Sequence, residues 1–495
     1  MVSRKTTLAL SGLGERLIRG VGAGLVGQLL SVFSRILLPP MFLKSWGVDV
    51  YGEWLLITAV VANLALSEVG GGIYVTNRLT QFYANSELKL FRATLQTALV
   101  IFVTWPVAIF LMFLLVVALV PMGSILGLKT INGELLSIVA VVLAFQIIIE
   151  IPKGLILGVF RSTGNLSRGL MLTNYIVIMQ MMFVVLGLWL GAGIVVIAVL
   201  QIIPIIIILL MAIFEINAKF SGQYLFSFKY FNLDIVKQFL RPSAYFFLIQ
   251  ISQVLSIQGV VLTIGLLLGS AQVVVFVTMR TLANVIKSII GLVSHAAWPE
   301  MTKFEAEHDN LRLTMLFKAL LRTTMVATIG IIFLLASFGG TVYEIWLGEF
   351  GLYDKMIMNL FLMMLALQVF WGIYGNLLMA TNKHHGLSAV MLASAIVSIL
   401  FAYVGANMDG IKGMLYGMIA AEVLLPLWMV PRLVYRHYGQ FSLAMFFMEA
   451  APLILLIPLI LKPASALLFI PLLIMWWWHA VKPLRQGKAI AMSES

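Results

Sequence analysis

Five residues share one face of a single apolar run near residues 272–297: Arg280, Asn284, Lys287, Gly291 and His295. Their spacing of i, i+4, i+7, i+11 and i+15 confines them to one narrow helical stripe. A stripe with two cations and an amide cannot face hydrocarbon, so it must line a wet cavity or meet a protein partner. Buried helix–helix hydrogen bonds are the plainer alternative, which two positive charges without an acid on the same helix make uncomfortable. A second stripe, Gly24, Gln28, Ser31 and Arg35, repeats the spacing near the start of the chain. Arg35 lies too deep in its run for an interface anchor, which leaves cavity lining or a pair with an acid such as Glu68. Gln250, Gln253 and Gln258 add neutral donors and acceptors in a third run, suited to hydroxyl-rich ligands and equally to interhelical bonding.

Carboxylates within apolar runs are the other costly groups, and one of them can carry a proton through a transport cycle. Glu422 lies mid-run and Glu68 and Glu150 near run ends. Glu422 and Glu68 are the candidates for ion coupling, with structural pairing as the competing role for each. Gly22-x-Gly24-x-x-Gly27 matches a dinucleotide fingerprint, but no strand precedes it, and close helix packing by small residues accounts for it better. His384–His385 has no further ligands nearby for a metal. No phosphate-binding loop, nucleophile elbow or His-Glu metal motif occurs, so neither a cofactor nor an enzyme active site is legible.

The elements that position these groups follow from composition. Of 495 residues, 62% are hydrophobic and 11% charged, against roughly a quarter charged in soluble domains. So few charges cannot cover a water-facing surface, and lipid must be the solvent. Apolar runs long enough to span a bilayer fall near 20–43, 53–75, 93–120, 135–158, 169–190, 194–215, 242–267, 272–297, 317–338, 357–380, 387–406, 411–431, 443–461 and 464–481, about fourteen in all. The first is too long for a signal-peptide core. The net charge of +12 is not arranged as a nucleic-acid groove; nearly all the basic residues sit in loops between runs. Alternate loops hold 24 and 5 Lys and Arg residues, with Arg35, Arg280 and Lys287 inside spans. The positive-inside rule then puts both termini in the cytoplasm. There is no cysteine, hence no disulfide or thiolate site.

The organisation expected is an N-lobe over 1–217 (spans 1–6), a basic, aromatic cytoplasmic linker over 218–241, a C-lobe over 242–434 (spans 7–12), and two additional spans with a tail over 435–495. Sliding the chain by 222 residues lays spans 1–2 on spans 7–8 without a gap. Gln28, Val32, Ser34 and Gly47 then meet Gln250, Val254, Ser256 and Gly269, and internal repeats are common in transporters.

Ser34-Arg35, Gly47, Tyr51-Gly52-Glu53-Trp54, the glycines 70–72 and Asn77-Arg78-Leu79 together resemble the opening of the O-antigen (Wzx-type) flippases among the polysaccharide transporters. Phe276, Arg280-Thr281-Leu282 and Trp298-Pro299-Glu300 are similar to the matching later segment, and also to the lipid II flippases. The resemblance covers roughly residues 15–435. It implies the fold of the multidrug/oligosaccharidyl-lipid/polysaccharide superfamily: an all-α polytopic membrane protein with two six-helix lobes in a V around a central cavity. The two extra C-terminal helices are a feature shared with the lipid II flippases. It also implies that Arg35 and Arg280 bind an anionic head group. The expected ligand is a polyprenyl-diphosphate-linked glycan, contacted by Arg35, Arg280, Lys287, Gln28, Asn284, Gln250, Gln253 and His295, with membrane lipid around it and polysaccharide polymerase and other glycan assembly proteins as partners. Two other classes compete. A multidrug exporter of the same fold calls for an acidic or aromatic cavity, and a membrane-embedded glycan ligase for a large outer loop bearing acids or His.

Overall fold

The computed structural model describes residues 2–68, 71–219, 230–350, 352–381, 383, 385–439, 443–454 and 475–476. Among them there is no strand. The helices are α1 (Val2–Ala62), α2 (Gly71–Ala84), α3 (Leu88–Leu119), α4 (Met122–Ile125), α5 (Gly133–Ser162), α6 (Leu166–Trp189), α7 (Ile194–Lys219) and α8 (Leu233–Val254). They continue as α9 (Val260–Leu268), α10 (Ser270–Ala306), α11 (Asn310–Leu347), α12 (Lys355–Ala380), α13 (His385–Leu424), α14 (Pro426–Tyr438) and α15 (Leu443–Ile454).

Ten helical stretches among the described residues are long and apolar enough to cross a membrane. Two of them, Gly22–Leu66 and His385–Tyr438, each contain two of the expected spans joined at a kink. In α1 the break is Gly47, whose φ of 75° lies in the left-handed region that a side chain disfavours. The chain doubles back there: Phe42 stacks on Tyr51 at 5.3 Å and Trp46 meets Trp54 at 5.4 Å between ring centroids. In α13 the break is Asp409–Gly410, and Gly405 then lies directly against Gly413. With the kinks resolved, twelve of the expected spans are accounted for. Only α15 and residues 475–476 of the last two lie within the described residues.

Three spans depart from straight helices. The expected span 53–75 winds down into a 3-10 turn, Asn63–Glu68, before α2 starts at Gly71. Asn63 bonds back to the Ala59 and Val60 carbonyls at 2.8 and 3.1 Å, a side chain competing with the backbone ladder. A π-turn, Leu255–Gly259, interrupts span 7, and Leu425–Pro426 separates α13 from α14 within span 12. The linker is also shorter than expected, since α7 reaches Lys219 and α8 begins at Leu233.

The chain forms two compact units, Met1–Val254 with Gly269–Ala271, and Leu255–Leu268 with Gln272–Ser495. The break falls at the π-turn. The two halves nevertheless share one backbone frame. Gly47 and Gly269 both have positive φ (75° and 89°), as do the non-glycines Ser86 and His308 (60° and 56°). Asn132 caps α5 by accepting from Leu135 N, and Asp354 caps α12 by accepting from Ile357 N. Each of these pairs is separated by the same 222 residues that aligned spans 1–2 with spans 7–8. Past the fourth span the separation falls to 219, as the positive-φ glycines Gly191 and Gly410 show.

In the first unit, Leu79, Leu95, Leu155, Leu172 and Ile205 form part of a dry core. Its outer loop is fastened by Glu53, 1% exposed, whose carboxylate accepts from the backbone N–H groups of Lys129, Thr130 and Ile131 at 2.7–2.8 Å. Of the small-residue motif, Gly27 makes the close approach. Asn174 of α6 sits over it and donates to the Ala23 carbonyl at 2.9 Å.

Candidate functional site

In the second unit, α10, α12 and α13 bring two of the expected site residues into one network. Lys287 Nζ donates to Gln368 Oε1 at 2.8 Å, and Gln368 Nε2 donates to Glu422 Oε1 at 2.9 Å. Trp371 Nε1 holds the other carboxylate oxygen at 2.7 Å. Gln368 and Trp371 lie at i, i+3 on α12, so one helical face grips both oxygens of the acid. Glu422 and Lys287 also attract each other through space. The acid missing from the α10 stripe is therefore supplied by α13, across one amide. Lys287 stays exposed although protein crowds its ammonium, the setting of a side chain that lines a recess.

One and two turns away on the same stripe lie Asn284 and Arg280, both half-buried. Arg280 donates to the Ile257 carbonyl at 3.3 Å and its guanidinium sits 5.2 Å from the Phe276 ring centroid. Both contacts leave guanidinium N–H groups to spare, since the fork has five. The His295 side chain lies outside the described residues.

The remaining expected residues belong to the first unit. Glu68 accepts a side-chain hydrogen bond from Gln250, which joins the end of the 3-10 turn to α8. Gln28 is half-buried, while Gln253 and Arg35 are exposed. No ion pair joins Arg35 to Glu68 among the described residues. Glu150 pairs locally with Lys153 at 3.5 Å.

A second buried acid escaped the sequence reading. Glu449 on α15 is 4% exposed, and both Tyr374 of α12 and Tyr435 of α14 donate to its Oε2. Arg322 of α11 attracts the same carboxylate while donating to the Trp476 carbonyl at 2.8 Å. Gln368 and Trp371 were also missed; the available signal was a glutamine and an indole one turn apart in an otherwise apolar span.

No protein-family model matches the sequence, and no curated protein does. Solved structures do. An inward-facing multidrug resistance MATE family transporter of the MOP superfamily superposes with a TM-score of 0.65 at 16% identity, over 83% of this chain and 96% of that one. Its outward-facing form gives 0.61 at 14%, over 85% and 96%. The lipid II flippase MurJ, in an inward closed conformation, gives 0.66 at 14% identity, over 95% of this chain and 100% of that one. The chain has their fold. The likeness to MurJ leaves about 25 of the 495 residues unmatched, fewer than the 61 from 435 to 495, so it takes in part of the C-terminal pair of spans. The MATE likenesses leave 15–17% unmatched.

Proposed function

We propose that this protein is a flippase that carries an undecaprenyl-diphosphate-linked oligosaccharide from the cytoplasmic to the periplasmic leaflet of a bacterial inner membrane, by alternating access, for cell-surface polysaccharide biosynthesis. The observation that carries this reading is the α10 stripe, with a cation exposed at Lys287 and another half-exposed at Arg280. A diphosphate fits such a stripe because a guanidinium meets phosphate oxygens with two parallel hydrogen bonds. Arg35 contributes the matching charge from the first unit. Gln28, Gln250, Gln253, Asn284 and His295 offer donors and acceptors to sugar hydroxyls, and the polyprenyl tail stays in lipid. The extent of the likeness to a lipid II flippase supports a lipid-linked ligand over a soluble one. Both termini face the cytoplasm in this scheme, and polysaccharide polymerase and other assembly proteins receive the product.

The MATE likeness favours a second reading, a multidrug antiporter. Against it, the carboxylate best placed for a cationic drug, Glu422, already accepts from Gln368 and Trp371 and faces Lys287. The deciding experiment measures membrane abundance and surface glycan for Arg280→Ala, Arg35→Ala and the Lys variant at each site. Export should be abolished in both Ala variants at normal abundance, with partial rescue by Lys, which brings charge without the planar fork. Normal export from a well-expressed Arg280→Ala protein overturns the head-group proposal.

A further inference from the structure

The amide between Lys287 and Glu422 is oriented by its neighbours: oxygen toward the ammonium, nitrogen toward the carboxylate. A glutamine can present either end to either partner by a half-turn of its amide. Glu422 is fixed from two sides by Gln368 and Trp371, while Lys287 has a flexible four-carbon stem and an exposed surface. Lys287 is also the charged group whose field reaches Glu422. Of the other elements packed on α13, α9 and the π-turn carry no ionisable residue. α14 carries Arg432, Tyr435, Arg436, His437 and Tyr438, and α12 carries Lys355 and Tyr374.

Without ligand, the network holds one ammonium and one carboxylate and is neutral. One added phosphate charge would make it negative in a setting where uncompensated charge is expensive. Lys287 is free to follow the phosphate; Glu422 is not free to follow Lys287.

We propose that Lys287 is exchanged between two anions, Glu422 and a phosphate group of the ligand, so that each phosphate charge bound there places one proton on Glu422. The proposal rests on the reading of the α10 stripe as the head-group site. In the exchange, the hydrogen bond from Lys287 Nζ to Gln368 Oε1 breaks and one to a phosphate oxygen forms. A proton from water adds to Glu422 Oε1. The Gln368 amide turns over, and its vacated oxygen accepts from the new carboxyl O–H. Ligand release reverses each step and returns the proton. The site thereby couples movement of a phosphate-bearing ligand to movement of protons.

Infrared difference spectroscopy on the purified full-length protein reads the proton directly, through the carbonyl stretch of a protonated carboxyl group. The probes are inorganic diphosphate and polyprenyl diphosphate in the same micelles, with binding followed in parallel by calorimetry. Either probe should bring up one protonated-carboxyl band in the wild type; a band with the lipid probe alone means that the tail is needed to seat the phosphate. The band should be missing from Glu422→Gln. In Lys287→Met it should be present before any ligand is added, because Glu422 has then lost its counter-charge, and ligand should add nothing. A folded Lys287→Met protein without that band contradicts the exchange. Binding without a new band, or a band that survives Glu422→Gln, overturns the exchange and leaves the head-group site standing. Failure of both probes to bind in a manner that depends on Arg280 and Lys287 removes the head-group reading along with it.

Discussion

The two halves of this chain share turns and caps at a constant separation, but they differ in what the shared frame carries. At the 222-residue separation, Arg280, Asn284 and Lys287 correspond to Thr58, Ala62 and Ala65, and Trp371 to Ile149. With the later separation of 219, Glu422 corresponds to Ile203. Of the network only the amide is common to both, as Gln146 and Gln368. The arginines are placed differently too. Arg35 corresponds to Ile257, and it is the Ile257 carbonyl that Arg280 reaches. The comparison separates what builds the frame from what works within it. Positive-φ turns and Asx caps are set by backbone geometry and recur. Intramembrane charge costs stability wherever it is placed, and it is concentrated in one half, where cation, amide and acid can compensate one another.

The largest effect expected from breaking this difference concerns Glu449. Its two tyrosine donors, Tyr374 and Tyr435, correspond to Pro152 and Ile216 in the first half, which has no such acid to hold. Glu449→Leu leaves two hydroxyls without their acceptor and Arg322 without its acid. The cost should be about 3–5 kcal/mol, the range for removing one partner of a buried charged pair. Adding Tyr374→Phe and Tyr435→Phe should recover part of it, because a hydroxyl that is gone needs no acceptor. Thermal unfolding in detergent of the single and triple variants checks both statements. A triple variant less stable than the single one would mean that the tyrosines hold the fold by contacts independent of Glu449.

A smaller effect separates the two glutamines. Gln368→Leu removes the amide that joins Lys287 to Glu422, whereas Gln146→Leu removes its counterpart with no charge on either side at the corresponding positions. Proton-driven transport should fall about tenfold in the first, equivalent to about 1.4 kcal/mol, and hold within about twofold in the second. Equal losses in reconstituted vesicles would make the amide part of the common frame. This contrast also marks how far the sequence could be read. Spans, the 222-residue repeat and the separate importance of Lys287 and Glu422 were legible, because each rests on local composition or spacing. The joining residues were not, since Gln368 lies 81 positions from Lys287 and 54 from Glu422. Glu53 was legible only as part of a family motif; its partners are backbone amides 76–78 residues away, which side-chain patterning cannot reveal.

The smallest effect concerns the ion pairs near the ends of the spans expected to face the cytoplasm. The first half has Arg168 on Glu215, with Nε and Nη2 both donating at 3.0–3.2 Å. The second has Lys383 on Glu305 at 2.8 Å, where Tyr438 donates to the other oxygen at 2.8 Å and its ring lies 4.0 Å from the ammonium. Burial pushes the Glu305 carboxyl up, but the hydrogen bonds from Lys383 and Tyr438 outweigh it and hold Glu305 below the ordinary carboxylate range. Burial pulls Lys383 down, and Glu305 and Tyr438 outweigh that to hold it above the ordinary lysine range. The depressed acid contributes stability that is present above its unfolded pKa of about 4.3 and is lost as pH falls through the folded value; the raised lysine contributes stability present below about 10.4 and lost as pH rises through its own folded value. The pair should therefore act evenly between about pH 5 and pH 10 and fade on both sides. Being a single contact at a partly exposed site, it should be worth less than about 1 kcal/mol and should weaken with salt. Unfolding of Lys383→Ala against wild type, followed across pH and ionic strength, tests this. The planar, bidentate Arg168 pair should resist salt better, and Arg168→Lys should lose that advantage. A Lys383→Ala loss of several kcal/mol, insensitive to salt, would mean that this corner is as buried as the Glu449 site, and the contrast between a dry acid within the membrane and a wet pair at its edge would no longer hold.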